Sequence, residues 1–342
     1  MNSCRAKEIL IYIVSCKNAG LGIRILRFLL WCLSFLYRVC LALRDLYYKV
    51  FFLVVKNRIE LPVISVGNIT TGGTGKTPMI EYLIRYFLER NIKPAVLIRG
   101  YGEDEYKDMI RRFPEAIIEV GKDRLSGARK AVKGGAKIIL LDDGFQYRKI
   151  FKDLEIVLID SLNPFGTGYL LPRGFLREPV KALRRADFIV ITHTEEPQNE
   201  LKRFLGSVVS CPLASAVHES KALYDKEKQE QEIDLIKNKT VAALSAIGCP
   251  ESFESSLKSI GANIFKHFTY IDHYNYKLKD LEEIDDYCQT NKVGFLITTS
   301  KDWIKISRYA HKLKTKIFVL DIELNFKEGE SSLVKLLEET AG

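Results

Sequence analysis

The chain has 342 residues, of which 47% are hydrophobic, and a formal net charge of +9 at pH 7. This length allows two domains of ordinary size, and the apolar content is typical of a folded protein. The seven cysteines are scattered and include no CxxC pair or Cys/His cluster. They therefore indicate neither a disulfide framework nor a zinc site, and we expect a reducing compartment.

Most of the positive charge lies at the N-terminus, since residues 1–60 hold ten Lys and Arg against three Asp and Glu. The same region contains an apolar, aromatic run over 28–43, which Arg38 interrupts. A helix that spans a bilayer needs roughly 20 apolar residues, and a charge near its middle is costly. We therefore predict an interfacial or shallowly inserted helix, with basic residues at the headgroups and aromatic residues at acyl depth. The basic residues are Arg24, Arg27, Arg38, Arg44 and Lys49, and the aromatic ones are Phe28, Trp31 and Phe35.

Two alternatives apply to this N-terminal segment. The first is a buried core helix whose arginines snorkel to the surface. The second is a cleaved signal peptide, which we disfavour because the apolar run begins late and no small-residue cleavage site follows it.

The next element is a short apolar strand over 62–66, followed by the glycine-rich stretch 72–77 and a helical pattern over 77–88. Glycines in such a turn let backbone N–H groups converge on phosphate oxygens, while Lys76 neutralises charge and the Thr77 hydroxyl suits Mg²⁺. The strict P-loop pattern requires glycine where Thr70 stands, so this is a variant P-loop. The alternative is a glycine-rich hairpin or helix cap.

Beyond this point, short apolar runs alternate with amphipathic ones in the manner of βαβ units. We predict an α/β protein with a P-loop NTPase-type parallel sheet over 61–200, a polar linker region over 201–238, and a smaller α/β domain over 239–342. Predicted strands of the first domain are 62–66, 95–98, 116–120, 137–141, 155–159 and 188–192. Those of the second are 240–244, 263–265, 293–298 and 316–320, with helices near 251–260, 277–290 and 330–339.

Ligands bind at the carboxyl ends of parallel strands, so polar residues at these ends are candidates for a site. The apolar run 138–141 leads into Asp142 and Asp143, followed by Gly144, Phe145 and Gln146. This arrangement is typical of a Walker B carboxylate, which would hold Mg²⁺ beside the P-loop. The alternative is a solvated Asp-Gly turn.

Three further segments carry weaker signals. The stretch 98–105 is an acidic loop after a strand, and 170–179 places two arginines between prolines, which suits a lid or a lipid-phosphate contact. His273 lies in a predicted loop beside Asp272, where an imidazole could orient or deprotonate a partner. The other four histidines, among them His193, show no chemical partner in the sequence.

In this order the motifs closely resemble the tetraacyldisaccharide 4'-kinase family, the lipid A 4'-kinases. The resemblance covers most of the chain. It rests on the basic N-terminus and on Ser65-Val66-Gly67-Asn68, Gly72-Gly73-Thr74-Gly75-Lys76-Thr77-Pro78, Arg99-Gly100-Tyr101-Gly102, Asp142-Asp143-Gly144-Phe145-Gln146, Leu176-Arg177-Glu178-Pro179, Asp272-His273-Tyr274 and Thr298-Thr299-Ser300-Lys301-Asp302. The variant P-loop is also usual in this family.

The resemblance implies two α/β domains with the active site in their cleft and the N-terminal helix on the membrane. It implies transfer of the ATP γ-phosphate to the 4'-hydroxyl of a tetraacylated glucosamine disaccharide 1-phosphate. ATP and Mg²⁺ are the expected cofactors, the lipid A disaccharide precursor and the inner membrane surface are the expected partners, and no nucleic acid or obligate protein partner is expected. The expected location is the cytoplasmic face of the inner membrane, peripheral or monotopic.

Site roles follow from the same resemblance, residue by residue. The phosphates would be held by Gly72, Gly73, Thr74, Gly75, Lys76 and Thr77. The metal would be held by Thr77 and Asp142, with Gln146 and Glu105 in support. The catalytic set would be Asp104, His273, Lys76, Asp143 and Arg124, and Arg177 would contact the lipid.

The assignment of Asp104 as base departs from the family pattern in its flanks. The family motif is Gly-Asp-Glu-Pro, whereas this chain has Glu103 for the glycine and Tyr106 for the proline, after a shortened segment. Counting back from Arg124 places Asp104 and Glu105 on the Asp-Glu pair. In addition, Arg173 and Phe175 stand where smaller residues are usual.

Two functions of other classes remain as alternatives to the lipid kinase. One is a membrane-tethered P-loop ATPase switch that acts on protein partners and transfers phosphate only to water. The other is a pseudoenzyme, which the shortened segment before Asp104 would allow.

Overall fold

The computed structural model describes residues 13–14, 20–51, 57–100, 103–194, 198–227, 229–272 and 274–342. The chain forms two compact units. The first comprises the described residues of Met1–Gly100, Pro114–Ala216 and Phe326–Gly342, and the second those of Tyr101–Phe113 and Val217–Asn325. The chain therefore passes between the units four times.

The first unit is built on a sheet of parallel strands in the order β3-β2-β4-β1-β5-β6-β7. Every residue of β1, β5 and β6 is buried, because helices cover both faces of such a sheet. Its strands are β1 (Val63–Asn68), β2 (Pro94–Ile98), β3 (Ile117–Val120), β4 (Ile138–Asp142), β5 (Leu154–Asp160), β6 (Phe188–Thr192) and the start of β7 (Leu213–Tyr224). Its helices are α1 (Leu21–Phe51), α2 (Lys76–Leu88), α4 (Arg124–Lys133), α5 (Asn199–Val208) and α9 (Glu330–Ala341).

The central position of β1 places its carboxyl end at a topological switch point, because β4 and β5 flank it on opposite sides. Ligand sites of open α/β sheets lie at such points. Two glycines allow the loop after β4 to lie against β1. A Cβ on Gly67 would be 2.6 Å from the Cβ of Phe145, and one on Gly144 would be 2.3 Å from the Ser65 Oγ.

Helix α1 has two different faces. On one face Ser34 and Leu41 are buried. The opposite face exposes large apolar side chains, and only 11% of the most apolar stretch is buried, so the alternative of a buried core helix is wrong. By length and composition alone the stretch Leu21–Tyr48 could cross a membrane. Exposed apolar residues of this helix include Leu21, Ile25, Phe28, Leu29, Leu36, Val39, Leu43, Leu46 and Val50.

One predicted headgroup contact of α1 is corrected by the structure. Arg44 does not extend from the apolar face but pairs with the fully buried carboxylate of Glu178, with 3.1 Å between Nη2 and Oε1. Arg24 and Arg38 are exposed, as a headgroup contact requires, and the side chain of Lys49 lies outside the described residues.

The second unit has its own parallel strands in the order β10-β9-β11-β12, and β8 (Glu230–Gln231) pairs antiparallel with β7. The strands are β9 (Thr240–Ser245), β10 (Asn263–Thr269), β11 (Phe295–Thr299) and β12 (Lys316–Glu328). The helices are α3 (Glu103–Arg112), α6 (Pro250–Ser259), α7 (Leu278–Thr290) and α8 (Ser300–Ile306). Helix α3 is tied to this unit by the ion pair of Arg112 with Asp321, 3.1 Å long.

The α/β class with parallel sheets is as predicted, but the predicted linker is not irregular. Residues 201–238 contain most of α5 and all of the twelve-residue strand β7. The high charge of this stretch concealed two short buried runs in β7, at 214–217 and 222–223. The units also exchange segments that the sequence order assigned otherwise, because 101–113 belongs to the second unit and 326–342 to the first.

We predict that Gly144→Ala destabilises the protein by about 1–3 kcal/mol, because the new methyl group would overlap Ser65 and Leu141. Chemical denaturation of both proteins would measure this. Gly206→Ala is the matched control, since Gly206 lies in α5 with open space around it and alanine favours a helix by roughly 0.5–1 kcal/mol. Equal stability of Gly144→Ala and the parent chain would contradict the close approach.

Candidate active site

The glycine-rich segment connects the end of β1 to the start of α2. Gly75 caps α2 in the left-handed conformation, with φ 83°, and Gly72 has φ 132°. Both values are in the region that favours glycine. Because the cap is a glycine, no side chain covers the amides of Lys76 and Thr77 in the first helical turn. These amides and the positive end of the helix dipole are suited to a phosphate group.

Buried hydrogen bonds hold the middle of this loop. The Asn68 side-chain amide donates to the Thr74 hydroxyl at 2.9 Å, and the Thr192 hydroxyl donates to the Thr74 carbonyl at 3.2 Å. The Gln146 amide in turn donates to the Asn68 carbonyl at 2.8 Å. The loop is therefore fixed from β1, from β6 and from the segment after β4. Gln146, predicted to support a metal, uses its nitrogen in this contact and keeps its amide oxygen as a possible ligand.

The two acidic residues after β4 have different surroundings. Asp142 ends the strand, and Asp143 adopts a positive φ of 49°. Arg177 contacts both Asp143 oxygens at 2.9 Å, and the Lys76 ammonium lies 3.7 Å from one of them. Burial alone would raise the pKa of Asp143, but the charges of Lys76, Arg177 and Arg124 outweigh it, so the pKa is lowered. Asp143 is therefore held as a carboxylate.

Arg124, predicted in the catalytic set, lies under these acidic residues. It is 3% exposed, and its guanidinium donates to the backbone carbonyls of Asp142 and Asp143. Burial lowers its pKa, which the two neighbouring carboxylates partly offset. Through these two hydrogen bonds, Arg124 holds the turn at the end of β4 in place.

The segment predicted as a lid, 170–179, is joined to the P-loop by backbone hydrogen bonds. The Thr71 amide donates to the Phe175 carbonyl at 2.8 Å, and the Arg177 amide donates to the Ile69 carbonyl at 2.7 Å. The segment folds back on itself through a hydrogen bond from the Leu171 amide to the Leu176 carbonyl. This pairing delivers the Arg177 side chain to Asp143.

A buried ion pair beneath the loop escaped the sequence analysis. The Lys152 ammonium lies 2.7 Å and 3.0 Å from the two Glu155 oxygens and donates to the Gly144 carbonyl. The Ser65 hydroxyl donates to Glu155 at 2.8 Å. Burial raises the pKa of Glu155 despite Lys152, and burial lowers the pKa of Lys152 despite Glu155. The pair connects β1, β5 and the Asp-Asp-Gly turn.

A second pair was also missed, since His193 was expected to have no partner. Its Nδ1 lies 2.8 Å from the Asp160 carboxylate, and both side chains are largely buried. Asp160 ends β5 and His193 follows β6. Both residues are polar and lie at the carboxyl ends of apolar strands, which is the same sequence signal that marks Asp142 at the end of β4.

Other predicted site residues are only partly described. Asp104 and Glu105 lie in the first turn of α3, and their side chains are outside the described part of the chain. His273 lies outside the described residues altogether. The base and its imidazole partner therefore stay predictions.

The donor set of the first unit fits a hard divalent cation. The Thr77 hydroxyl is exposed in the first turn of α2, and the Asp142 carboxylate stands at the carboxyl end of the strand next to β1. Hydroxyl and carboxylate oxygens are the ligands that Mg²⁺ prefers, usually beside phosphate oxygens of a nucleotide. The chemistry of these side chains is therefore suited to a nucleotide–magnesium complex.

The strand, glycine-rich loop, helix and strand-end carboxylates together define a P-loop nucleotide-binding protein. A family model described as tetraacyldisaccharide-1-P 4'-kinase matches residues 26–341. The chain therefore belongs to the tetraacyldisaccharide-1-P 4'-kinase family, which confirms the resemblance found in the sequence. Membership of a kinase family favours the predicted kinase over the ATPase switch.

Individual relatives agree with this family. The tetraacyldisaccharide 4'-kinase of Syntrophus aciditrophicus is 36% identical over 87% of this chain and 89% of its own length. That of Halothermothrix orenii is 35% identical over 89% and 90%. A crystal structure of LpxK from Aquifex aeolicus in complex with ATP is 28% identical, covers 93% of this chain and 100% of its own, and has a TM-score of 0.72.

We predict that Lys152→Met lowers the free energy of unfolding by about 3–5 kcal/mol, because it leaves Glu155 buried without its cation. Because the pKa of Glu155 is raised in the folded protein, the contribution of this residue to stability is fully present below its ordinary value of 4.5. In the variant, that contribution is lost as pH rises through the raised pKa. The deficit relative to the parent chain should therefore narrow on acidification, as denaturant titrations across pH would show.

The double variant Lys152→Met with Glu155→Gln is the control for this prediction. It removes both charges, so most of the lost stability should return. A double variant as unstable as Lys152→Met would assign the loss to packing rather than to the unpaired charge.

Proposed function

We propose that this chain transfers the γ-phosphate of ATP to the 4'-hydroxyl of a tetraacylated glucosamine disaccharide 1-phosphate. The observation that supports this proposal most directly is the position of the P-loop lysine, Lys76, beside the Asp143 carboxylate. Arg177 pairs with the same carboxylate, and the chain belongs to this kinase family. The solved relative bound to ATP supports the choice of nucleotide.

The P-loop residues would bind and orient the nucleotide. Amides of the loop over 72–77 and the Lys76 ammonium would hold the β- and γ-phosphates. Asp143 is paired more closely with Arg177 than with Lys76, so Lys76 can turn toward a phosphate while Asp143 keeps a cation. Thr77 and Asp142 would hold Mg²⁺, with Gln146 and Glu105 in support. When bound, the ion neutralises charge that develops on the phosphoryl group.

For the acceptor side, we assign Asp104 as the base that takes the proton from the sugar hydroxyl. An aspartate oriented by the His273 imidazole could accept this proton and align the oxygen with the γ-phosphate. The match of Asp104 and Glu105 to the Asp-Glu pair of the family motif, counted back from Arg124, supports this assignment.

We further assign the chain to the cytoplasmic face of the inner membrane, held there by α1 as a peripheral or monotopic anchor. The apolar face of α1 is exposed along the whole helix, from Leu21 to Val50. Arg24 and Arg38 are exposed on the same helix and could contact anionic headgroups. A lipid substrate would thus be met at the surface in which it resides.

Product analysis tests this function directly. Purified full-length protein would be incubated in detergent micelles with Mg-ATP labelled at the γ-phosphate and with the tetraacylated disaccharide 1-phosphate. We expect label at the 4'-position of the lipid, which mass spectrometry would locate. ATP hydrolysis without lipid labelling would instead support the ATPase switch, and the absence of both activities would support the pseudoenzyme.

We predict that Lys76→Ala lowers kcat at saturating lipid by about a hundred- to a thousandfold, because charge stabilisation of the transferred phosphoryl group is lost. Steady-state kinetics of lipid phosphorylation would measure this. Lys130→Ala is the control, since Lys130 is a mostly exposed lysine on α4 of the same unit. Turnover of Lys76→Ala at the level of the control would contradict the phosphate role.

We predict that Asp104→Asn lowers kcat far more than it changes KM for ATP, because an amide cannot accept the hydroxyl proton. Glu103→Gln and Asp108→Asn are the matched controls on the same helix. If one of these two controls loses kcat while Asp104→Asn does not, the assignment of the base across the shortened segment is wrong.

A further inference from the structure

The face of α1 that is turned to the protein carries polar groups that contact the segment 170–178. The Ser34 hydroxyl donates to the Leu170 carbonyl at 2.8 Å and accepts from the Arg173 amide at 2.9 Å. The Tyr37 hydroxyl donates to the Arg177 carbonyl at 2.9 Å. We call Ser34, Tyr37, Leu41 and Arg44 the inner stripe of α1, because their spacing of three and four residues places them on one helix face.

From Tyr37 a continuous set of contacts reaches the P-loop. The Arg177 carbonyl accepts a hydrogen bond from the Tyr37 hydroxyl, and the Arg177 amide donates one to the Ile69 carbonyl. The Arg177 guanidinium donates to both oxygens of Asp143. Asp143 in turn lies 3.7 Å from the Lys76 ammonium. One residue thus connects helix α1, the backbone that precedes the glycine-rich loop and the strand-end carboxylate.

The neighbouring residue, Glu178, anchors the same segment. It is fully buried and is surrounded by three arginines from different parts of the first unit. Arg44 of α1 lies 3.1 Å away, Arg185 2.8 Å and Arg148 3.6 Å. A buried carboxylate requires such partners, so the position of Glu178, and with it that of Arg177, depends partly on where α1 places Arg44.

We infer that Tyr37 and Arg44 are positioning residues for phosphoryl transfer, which act through Arg177 on Asp143, so that α1 orders the active site as well as anchoring the chain. The inference rests on the proposed function. The outer, apolar face of α1 remains free for a lipid surface, and the inner stripe holds the segment that completes the P-loop. Docking on the membrane and ordering of the site are therefore carried by opposite faces of one helix.

Tyr37→Phe is the sharpest test, because it removes one hydroxyl and keeps the ring. Loss of one neutral hydrogen bond is expected to lower kcat roughly three- to tenfold at saturating ATP and lipid in micelles. The melting temperature should fall by no more than a few degrees, as the loss of one hydrogen bond allows. Flotation with vesicles of phosphatidylethanolamine and phosphatidylglycerol should remain at the parent value. Tyr47→Phe is the matched control, since Tyr47 is 55% exposed on the same helix.

Arg44→Gln and its conservative counterpart Arg44→Lys form the second arm. Arg44→Gln should lower kcat, and Arg44→Lys should restore part of it because an ammonium can still pair with Glu178. Arg129→Gln, at an exposed arginine of α4 in the same unit, should keep the parent kcat. Should Arg44→Gln fail to fold, Tyr37→Phe decides the question alone.

A substitution on the outer, apolar face of α1 is expected to affect membrane binding instead. Leu43→Glu replaces a side chain that is 60% exposed and should weaken vesicle flotation, which Tyr37→Phe should not. The inference is overturned if Tyr37→Phe keeps the parent kcat, if Tyr47→Phe loses as much, or if kcat follows vesicle binding across all variants. Failure of the parent chain itself to label the lipid would overturn the proposed function, and this inference with it.

Discussion

Asp142 and Asp143 follow each other at the end of β4, where partial burial makes two adjacent negative charges costly. The structure offsets this cost for Asp143 with cations from separate elements. Lys76 comes from the first turn of α2 and Arg177 from the segment after β5, while Arg124 of α4 holds the carbonyls of the same turn. Because each cation arrives on a different element, the ion cluster fixes the P-loop, the turn and the segment 170–178 against one another.

Below this cluster, the buried pair of Lys152 and Glu155 applies the same principle to the underside of the turn. The ammonium of Lys152 reaches the Gly144 carbonyl, while Glu155 accepts from Ser65 on β1. The close approach of β1 and the turn is possible because Gly67 and Gly144 have no Cβ. The two glycines and the buried ion pair thus hold the strand-end carboxylates at the carboxyl end of β1, next to the P-loop.

The structural features that the sequence predicted are those whose residues lie in one continuous stretch of the chain. A strand, a glycine turn and Lys76 lie within fifteen residues, and Asp142 directly follows an apolar run, so periodicity and composition suffice. Contacts between distant residues were not predictable in this way. His193 and Asp160 are separated by 33 residues and Tyr37 and Arg177 by 140. The pairing of β5 with β6 brings the first pair together, and the contacts of α1 with the segment 170–178 bring the second pair together. The strand β7 within the expected linker was missed for a related reason, because its buried runs at 214–217 and 222–223 are short and lie among charged residues.

Hydropathy alone describes α1 as one apolar segment, whereas its contacts divide it into two faces. Residues 34, 37, 41 and 44 recur at helical spacing on the protein side, and three of them are polar, which a helix used only as an anchor would not require. The apolar residues at 36, 39, 43, 46 and 50 recur at the same spacing on the exposed side. Polar groups are costly in contact with acyl chains, so their position fixes which side of the helix turns to the protein. The rotation of α1 about its axis is therefore set by Ser34, Tyr37 and Arg44, and the apolar face is directed outward as a consequence.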